Sequence, residues 1–252
     1  MTSPWGRLKD AAIRAGVDDA LRPIAHKLMG RTPDTDDLAS FELIARLSPA
    51  AVCVDVGCHK GKFLNEMRRA APRGRFFAFE PIPYLFDLLA AKYERDKRVE
   101  LHNCALSRVP GRAKFFVNLR DMGLSGLNKR EARMGADALT EVEVEIRTLD
   151  EVVGEAPVSF LKIDVEGAEL DVLAGGRRMI ERTRPVVLFE FGLGGAEYFG
   201  VGADEMHAFF SGLGYRLHRV ADAVDGRPAL DREAFQQCFE SNSAYNFVAF
   251  PG

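Results

Sequence analysis

Apolar and polar positions change their period several times along the chain. Leu8, Ala12, Val17, Leu21, Ile24 and Leu28 recur near helical spacing with Arg and Lys between them. That pattern predicts one or two amphipathic helices. The stretch TPDTDDLASFELIARLSP (residues 32–49) predicts another, with acids in its first turn and Pro49 beyond its end. From residue 51 onward, short apolar runs alternate with helical patterns. AVCVDVG (51–57), RFFAFEP (75–81) and VELHNCAL (99–106) predict buried strands, separated by helices over 61–71 and 83–95. Buried strands separated by helices imply β-α-β units and a parallel sheet.

The middle of the chain breaks this alternation. RAKFFVNL (112–119) and VEVEIRTL (142–149) predict strands flanking a polar, glycine-containing segment over 120–141. Alternation resumes with VSFLKIDVEG (158–167), a helix over 168–182 and PVVLFEF (185–191). Asp204 is the expected cap of a helix whose Met206, Phe209, Phe210 and Leu213 share one face, stopped at Gly214. YRLHRV and AYNFVAF close the chain as two further strands. The expected architecture is one α/β domain over 49–252, with about seven core strands, preceded by a helical extension over 1–48.

Bulk properties narrow the function classes. Of 252 residues, 47% are hydrophobic and 28% charged, an ordinary balance for a chain that buries a core. The net charge of −3 gives no bulk electrostatic reason to expect nucleic acid. Residues 1–31 and the stretch 120–133 are locally basic. Cys53, Cys58, Cys104 and Cys238 form no C-x-x-C pair, so buried thiols in a reducing cytoplasm are expected rather than zinc ligands or disulfides. The first residues lack the apolar core of a signal peptide, and no run reaches membrane-spanning length.

The candidate chemistry sits at strand ends. VDVGCHKGKF places Asp55 at the edge of the first strand and glycines at Gly57 and Gly61. A dinucleotide fingerprint needs a middle glycine for backbone to approach a pyrophosphate; here Cys58, His59 and Lys60 stand between the glycines. An acid at this point also repels a phosphate. It attracts a cation, and S-adenosylmethionine carries a sulfonium and an ammonium and has no phosphate. Glu80, ending the second strand, stands where a carboxylate accepts both hydroxyls of a ribose.

With these residues in view, the chain resembles the FkbM family of S-adenosylmethionine-dependent methyltransferases. The matching stretches are VDVGCHKGKF, FAFEP, NCALS, TLD and, most specifically, LKIDVEGAELDVLAGG (161–176). The resemblance covers roughly residues 52–191, with a similar ending in NFVAFP. It implies a Rossmann-like class I methyltransferase fold, a seven-stranded mostly parallel sheet with helices on both faces, and O-methylation of a sugar or polyketide hydroxyl. The matched stretches add Cys58, His59, Gly61, Phe63, Pro81, Asn103 and Ala105 to Asp55, Gly57 and Glu80 as candidate cofactor contacts. Ser125, in GLSGL, joins them by similarity to a serine-containing stretch of the family, and Asp164, in LKIDVEG, is a further candidate cofactor contact.

In the family's strand order, the ends of the first and fourth core strands are neighbours, so Asp55, Gly57, Asp164 and Glu166 should converge, with Glu190 beside them. Methyl transfer to an alcohol benefits from a base or a metal ion. Asp164, Glu166, Glu190 and His59 are the candidates for the base, and Asp164 with Glu190 for magnesium. Asp164 and Glu166 can equally serve as acids at a helix N-terminus, and Lys162 can pair with one of them. The segment over 120–141 is a candidate lid over the acceptor. Tyr198 and Phe199 are candidate pocket walls.

The expected partner is a small-molecule or saccharide hydroxyl in the cytoplasm, with a homodimer through the N-terminal helices as a further option. Two rivals stand beside this reading. One is a nucleotide-dependent oxidoreductase. The other is a catalytically silent protein that keeps the cofactor fold for assembly.

Overall fold

A computed structural model describes residues 4–15, 35–129 and 139–252. The expected helices through Val17, Leu21, Ile24 and Leu28, and residues 130–138 of the expected lid, lie outside the described residues. Helix α1 (Pro4–Arg14) is followed by α2 (Thr35–Ala45), whose first turn carries Asp36 and Asp37.

The main sheet contains seven strands: β1 (Val52–Val56), β2 (Arg75–Phe79), β3 (Val99–His102), β7 (Val158–Ile163), β8 (Val186–Glu190), β9 (Tyr215–Arg219) and β10 (Asn246–Pro251). Their order is β3-β2-β1-β7-β8-β10-β9. All neighbouring pairs are parallel except β10, which runs antiparallel to β8 and β9. The sheet is thus doubly wound, and its order reverses between β1 and β7. That reversal leaves a crevice beyond the carboxyl ends of these two strands.

Both faces of the sheet are covered, as near-continuous apolar runs require. On one face Cys53, Phe76, Phe160, Leu188 and Val248 pack beneath α2 and α3 (Lys62–Ala70). On the other, Val54, Phe77, Leu161, Phe189 and Phe247 form the larger core. Asp55 shares the strand face of Cys53, because side chains alternate with period two.

A second, three-stranded sheet accounts for the break in alternation. It comprises β4 (Ala105–Leu106), β5 (Gly111–Asn118) and β6 (Leu139–Arg147) in the order β4-β6-β5. Phe115, Val117, Val144 and Ile146 are buried against α4 (Pro83–Tyr93) and Ile13 of α1. The opposite face carries charge pairs, Arg112–Glu143 at 2.6 Å and Lys114–Glu141 at 2.8 Å. One face therefore meets water and the other closes on the main domain.

Three sequence expectations need correction. The run VELHNCAL is two strands, β3 in the main sheet and β4 in the second. Asn103 lies at the junction, its amide turned to the carbonyls of Glu80 and Pro81 at 2.8 and 3.2 Å. The helix over 168–182 is two helices, α5 (Glu169–Gly175) and α6 (Arg177–Thr183), joined at Gly176, where a Cβ would fall 2.6 Å from Leu149. Asp204 does not cap its helix. The N-cap is Gly202, whose N–H is taken by Glu205, while Asp204 pairs with Arg232.

Candidate active site

The turn after β1 opens the site. Gly57 has φ +73°, and a Cβ there would fall 1.9 Å from the Asp164 carbonyl oxygen. Only a residue without a Cβ lets the β1 and β7 ends approach this closely. Gly61 has φ +76°, and a Cβ would fall 2.4 Å from the Tyr93 hydroxyl. Tyr93 donates to Asn65 Oδ1 at 2.7 Å beneath the turn. Between the glycines, His59 is also left-handed, at φ +49°. That conformation is uncommon for residues with a side chain, though His is among those enriched there.

The left-handed His59 turns its own N–H onto Glu80 Oε2 at 2.9 Å, while the Ile82 N–H donates to Oε1 at 2.9 Å. Each Glu80 oxygen keeps a second lone pair for a ligand. Burial pushes the Glu80 carboxyl up to about 8, against the two amides that favour its charged form. Burial pulls the His59 imidazole down to about 4, and Lys60 and Lys162 act in the same direction. His59 is therefore neutral near pH 7. Its Nε2 is buried and makes no hydrogen bond within the protein.

These groups face a cavity of about 310 Å³. Of the sequence-derived candidates, Gly57, His59, Glu80, Pro81, Ala105, Ser125, Asp164, Glu166 and Glu190 line it. Asp55, Cys58, Gly61, Phe63 and Asn103 do not. Cys58 is buried beneath the turn, and burial holds its thiol well above its ordinary range. Asn103 acts on the backbone behind Glu80.

Asp55 points away from the cavity, toward α3 and Lys162. The Lys162 ammonium is 3.5 Å from Asp55 Oδ1, 3.2 Å from Asp164 Oδ2 and 3.1 Å from the Gly57 carbonyl oxygen. Burial works against the Lys162 charge, but Asp164 and Asp55 outweigh it and hold the ammonium above its ordinary range. A lysine within the apolar run VSFLKI was the sequence signal for this group.

The far end of the cavity is acidic, with Asp164, Glu166 and Glu190 at the ends of β7 and β8. Burial, reinforced by Asp164 and Glu166, pushes Glu190 up to about 9. The turn that carries Asp164 is held by a residue absent from the sequence-derived set. Glu169 Oε1 accepts from the N–H groups of Val165 and Gly167, each at 3.1 Å. Glu169, rather than Asp164, serves the turn entering α5. Among the described residues, no three His, Cys, Asp or Glu side chains are placed to hold a metal ion, so the magnesium considered for Asp164 and Glu190 gains no support.

A roof closes the cavity from β5. Asn118 Oδ1 accepts from the N–H groups of Arg120 and Asp121, Asp121 Oδ1 from Gly123, and Ser125 Oγ from Asn118. These turns set Met122, Leu124 and Leu127 over the cavity. The roof is tied by paired amides between Phe116 and Gly126, and by Asn128 Nδ2 to the Tyr198 carbonyl at 2.7 Å. Met122, Leu124 and Leu127 belong to the segment expected as a lid, and the described part of that segment lines the cavity. Among the described residues, no helix is long and apolar enough to cross a membrane.

The strand order and a ligand-sized cavity at the point of reversal define a Rossmann-like methyltransferase fold. The chain belongs to the FkbM methyltransferase family: the family model described as "Methyltransferase FkbM domain" matches residues 55–217. It is similar to "Methyltransferase 1" of Beauveria bassiana, at 30% identity over 48% of this chain and 57% of that protein. It is also similar to the "2-O-methyltransferase NoeI" of Sinorhizobium fredii, at 26% identity over 71% of this chain and 79% of that protein. Among solved structures, the methyltransferase FkbM of Methylobacillus flagellatus aligns with a TM-score of 0.51 and 17% identity, over 94% of this chain and 62% of that one. At that identity the likeness is one of fold. The chain thus spans little more than half of the fungal relative and under two thirds of the solved structure.

Proposed function

We propose that this protein is an S-adenosylmethionine-dependent O-methyltransferase acting on a hydroxyl of a small molecule or glycan. The observation that carries the proposal is the Glu80–His59 arrangement. A buried carboxylate, fixed by two backbone amides, lines a cavity beside a glycine turn and an imidazole whose Nε2 is unused by the protein. The cavity is within the range of small-molecule sites. Its acidic rim suits a cationic ligand better than a phosphate.

On this reading Glu80 accepts the ribose hydroxyls, Gly57 and His59 border the amino-acid end, and Ala105 and Leu106 flank the base. When bound, S-adenosylmethionine supplies an electrophilic methyl for in-line displacement by a hydroxyl oxygen. The protein's part is to orient that oxygen, exclude water and take the hydroxyl proton. Asp164, oriented by Lys162 at the acidic end, is the residue proposed to accept that proton. Met122, Leu124 and Leu127 cover the cavity from water. O-methylation is supported by the name of the Sinorhizobium relative, a 2-O-methyltransferase.

The test is transfer of isotopically labelled methyl from S-adenosylmethionine to a panel of alcohols and glycosides, with amines and carboxylic acids alongside. An O-methyl ether as the product is expected. Labelled amine or ester products, with no ether, would overturn the hydroxyl assignment. Cofactor binding without transfer to any acceptor would favour a silent binding protein.

A further inference from the structure

We propose that Lys162 is a positioning residue that fixes the glycine turn and Asp164 in one geometry, and that Asp55 serves Lys162 rather than the cofactor. The proposal rests on the methyltransferase reading above.

Asp55 and Lys162 are Cα partners on the adjacent parallel strands β1 and β7. Gly57 follows Asp55 by two positions, and Asp164 follows Lys162 by two. At the strand ends these four positions form a block of two by two. The block holds one cation, two carboxylates and one residue with no side chain. A Cβ at Gly57 would meet the Asp164 carbonyl and Val165, and the Lys162 ammonium sits among the other three residues of the block.

A primary ammonium has three N–H donors and no acceptor. Lys162 meets three oxygens, on Gly57, Asp164 and Asp55, at 3.1, 3.2 and 3.5 Å. The Phe63 ring lies 5.1 Å away on a further side. Lys162 is 4% exposed and Asp55 1%. A buried ammonium is costly without partners, and a strand this apolar would ordinarily carry an aliphatic residue there. Asp55 makes the lysine tolerable in the core. What the lysine then does is join the turn after β1 to the carboxylate after β7. Those are the two sides of the crevice where ligands of open α/β sheets bind.

A purely structural ion pair and a positioning residue predict different outcomes. Lys162→Met alone leaves Asp55 buried without a partner and is expected to fold poorly. The informative variant is Asp55→Asn with Lys162→Met, which removes both buried charges together. If the pair is structural only, this double variant recovers melting temperature, cofactor affinity and kcat alike. If Lys162 positions the site, melting recovers while affinity for S-adenosylhomocysteine falls about tenfold and kcat about a hundredfold. In the ligand-free protein, amide hydrogen exchange over Gly57–Gly61 should also quicken about tenfold relative to the sheet core.

Asp55→Asn alone leaves Lys162 on Gly57 and Asp164, and its binding loss should be smaller than that of the double variant. A double variant with wild-type affinity, kcat and loop exchange would overturn the proposal. So would an Asp55→Asn defect equal to that of the double variant, which would return Asp55 to a direct contact. If the double variant does not fold, Asp55→Asn with Lys162→Gln, which keeps a polar side chain of similar reach, is read in its place: quickened exchange over Gly57–Gly61 supports the proposal and wild-type exchange there overturns it. Wild-type protein that binds no cofactor would overturn the cofactor reading and this role with it. Quickened loop exchange in the double variant would still show the mechanical link on its own.

Discussion

Gly57 lies so close to Asp164 that a single carbon on it would overlap the Asp164 carbonyl, at 1.9 Å. The two residues end neighbouring strands, and their approach brings the turn after β1 to the acidic rim of the cavity. Gly57→Ala must also hold φ +73°. The left-handed backbone costs about 1–2 kcal/mol and forced overpacking about 1–3 kcal/mol. A loss of about 2–5 kcal/mol of stability, with cofactor binding abolished, is expected from denaturant titration and calorimetry. Gly111→Ala is the control. Open space surrounds Gly111, and a change within about 0.5 kcal/mol is expected.

Glu80 gives the cofactor site a pH dependence with a defined sign. Its carboxyl is pushed up to about 8 by burial, and the ionised form is the one that accepts two ribose hydroxyls. Affinity for S-adenosylmethionine should therefore rise with pH up to about 8, by at most about tenfold per unit. Glu80→Gln should bind weakly and show no such slope. The same shift acts on folding. The unfolded chain ionises first, so the contribution to stability is full below about 4.5 and is lost as pH rises through about 8. Thermal melts of the ligand-free protein at pH 5 and pH 8, with Glu80→Gln as comparison, check the direction.

His59 has the opposite sign. Its imidazole is pulled down to about 4, so the unfolded chain takes up the proton first. Its contribution is full above about 6.5 and is lost as pH falls through about 4. Carbon chemical shifts of the labelled imidazole should show one neutral form throughout pH 5.5–8. A titration midpoint near 6.5 would contradict the burial argument. His59→Ala should weaken cofactor binding about tenfold, the scale expected for one lost hydrogen bond to a charged group.

The acidic rim divides binding from chemistry. Asp164→Asn should lower kcat by a factor of about 10² to 10⁴, the scale of a lost general base, with cofactor affinity changed less than threefold. Glu190, pushed up to about 9, is largely protonated near pH 7 and is poorly suited to take a proton there. Glu190→Gln should keep kcat within about tenfold of wild type. Steady-state kinetics with the two variants side by side decide the assignment. Equal losses would place the proton on a shared pair.

Much of the fold was legible because buried strands leave unbroken apolar runs. AVCVDVG, RFFAFEP and VSFLKI each became a strand of the main sheet. The ligand edge was legible from glycine and acid at strand ends. What pattern did not show was which face a strand-end side chain takes. Asp55 ends an apolar run, as a ligand contact would, yet period-two alternation puts it with Cys53, under α3. Non-local pairing was equally hidden. Nothing in VELHNCAL marks its last two residues as belonging to a second sheet built by β5 and β6. The segment over 120–141 was legible as a candidate lid from its polarity and length, but not the way Asn118, Asp121 and Ser125 shape its described part through side-chain bonds to backbone, which hydrophobic periodicity does not record.

The most direct test of the central claim is calorimetric titration of the wild-type protein with S-adenosylmethionine, repeated on Glu80→Ala. One site per chain with micromolar affinity is expected, weakened at least about tenfold when Glu80 loses its carboxylate. No binding to the wild-type protein, or binding indifferent to Glu80, would contradict it.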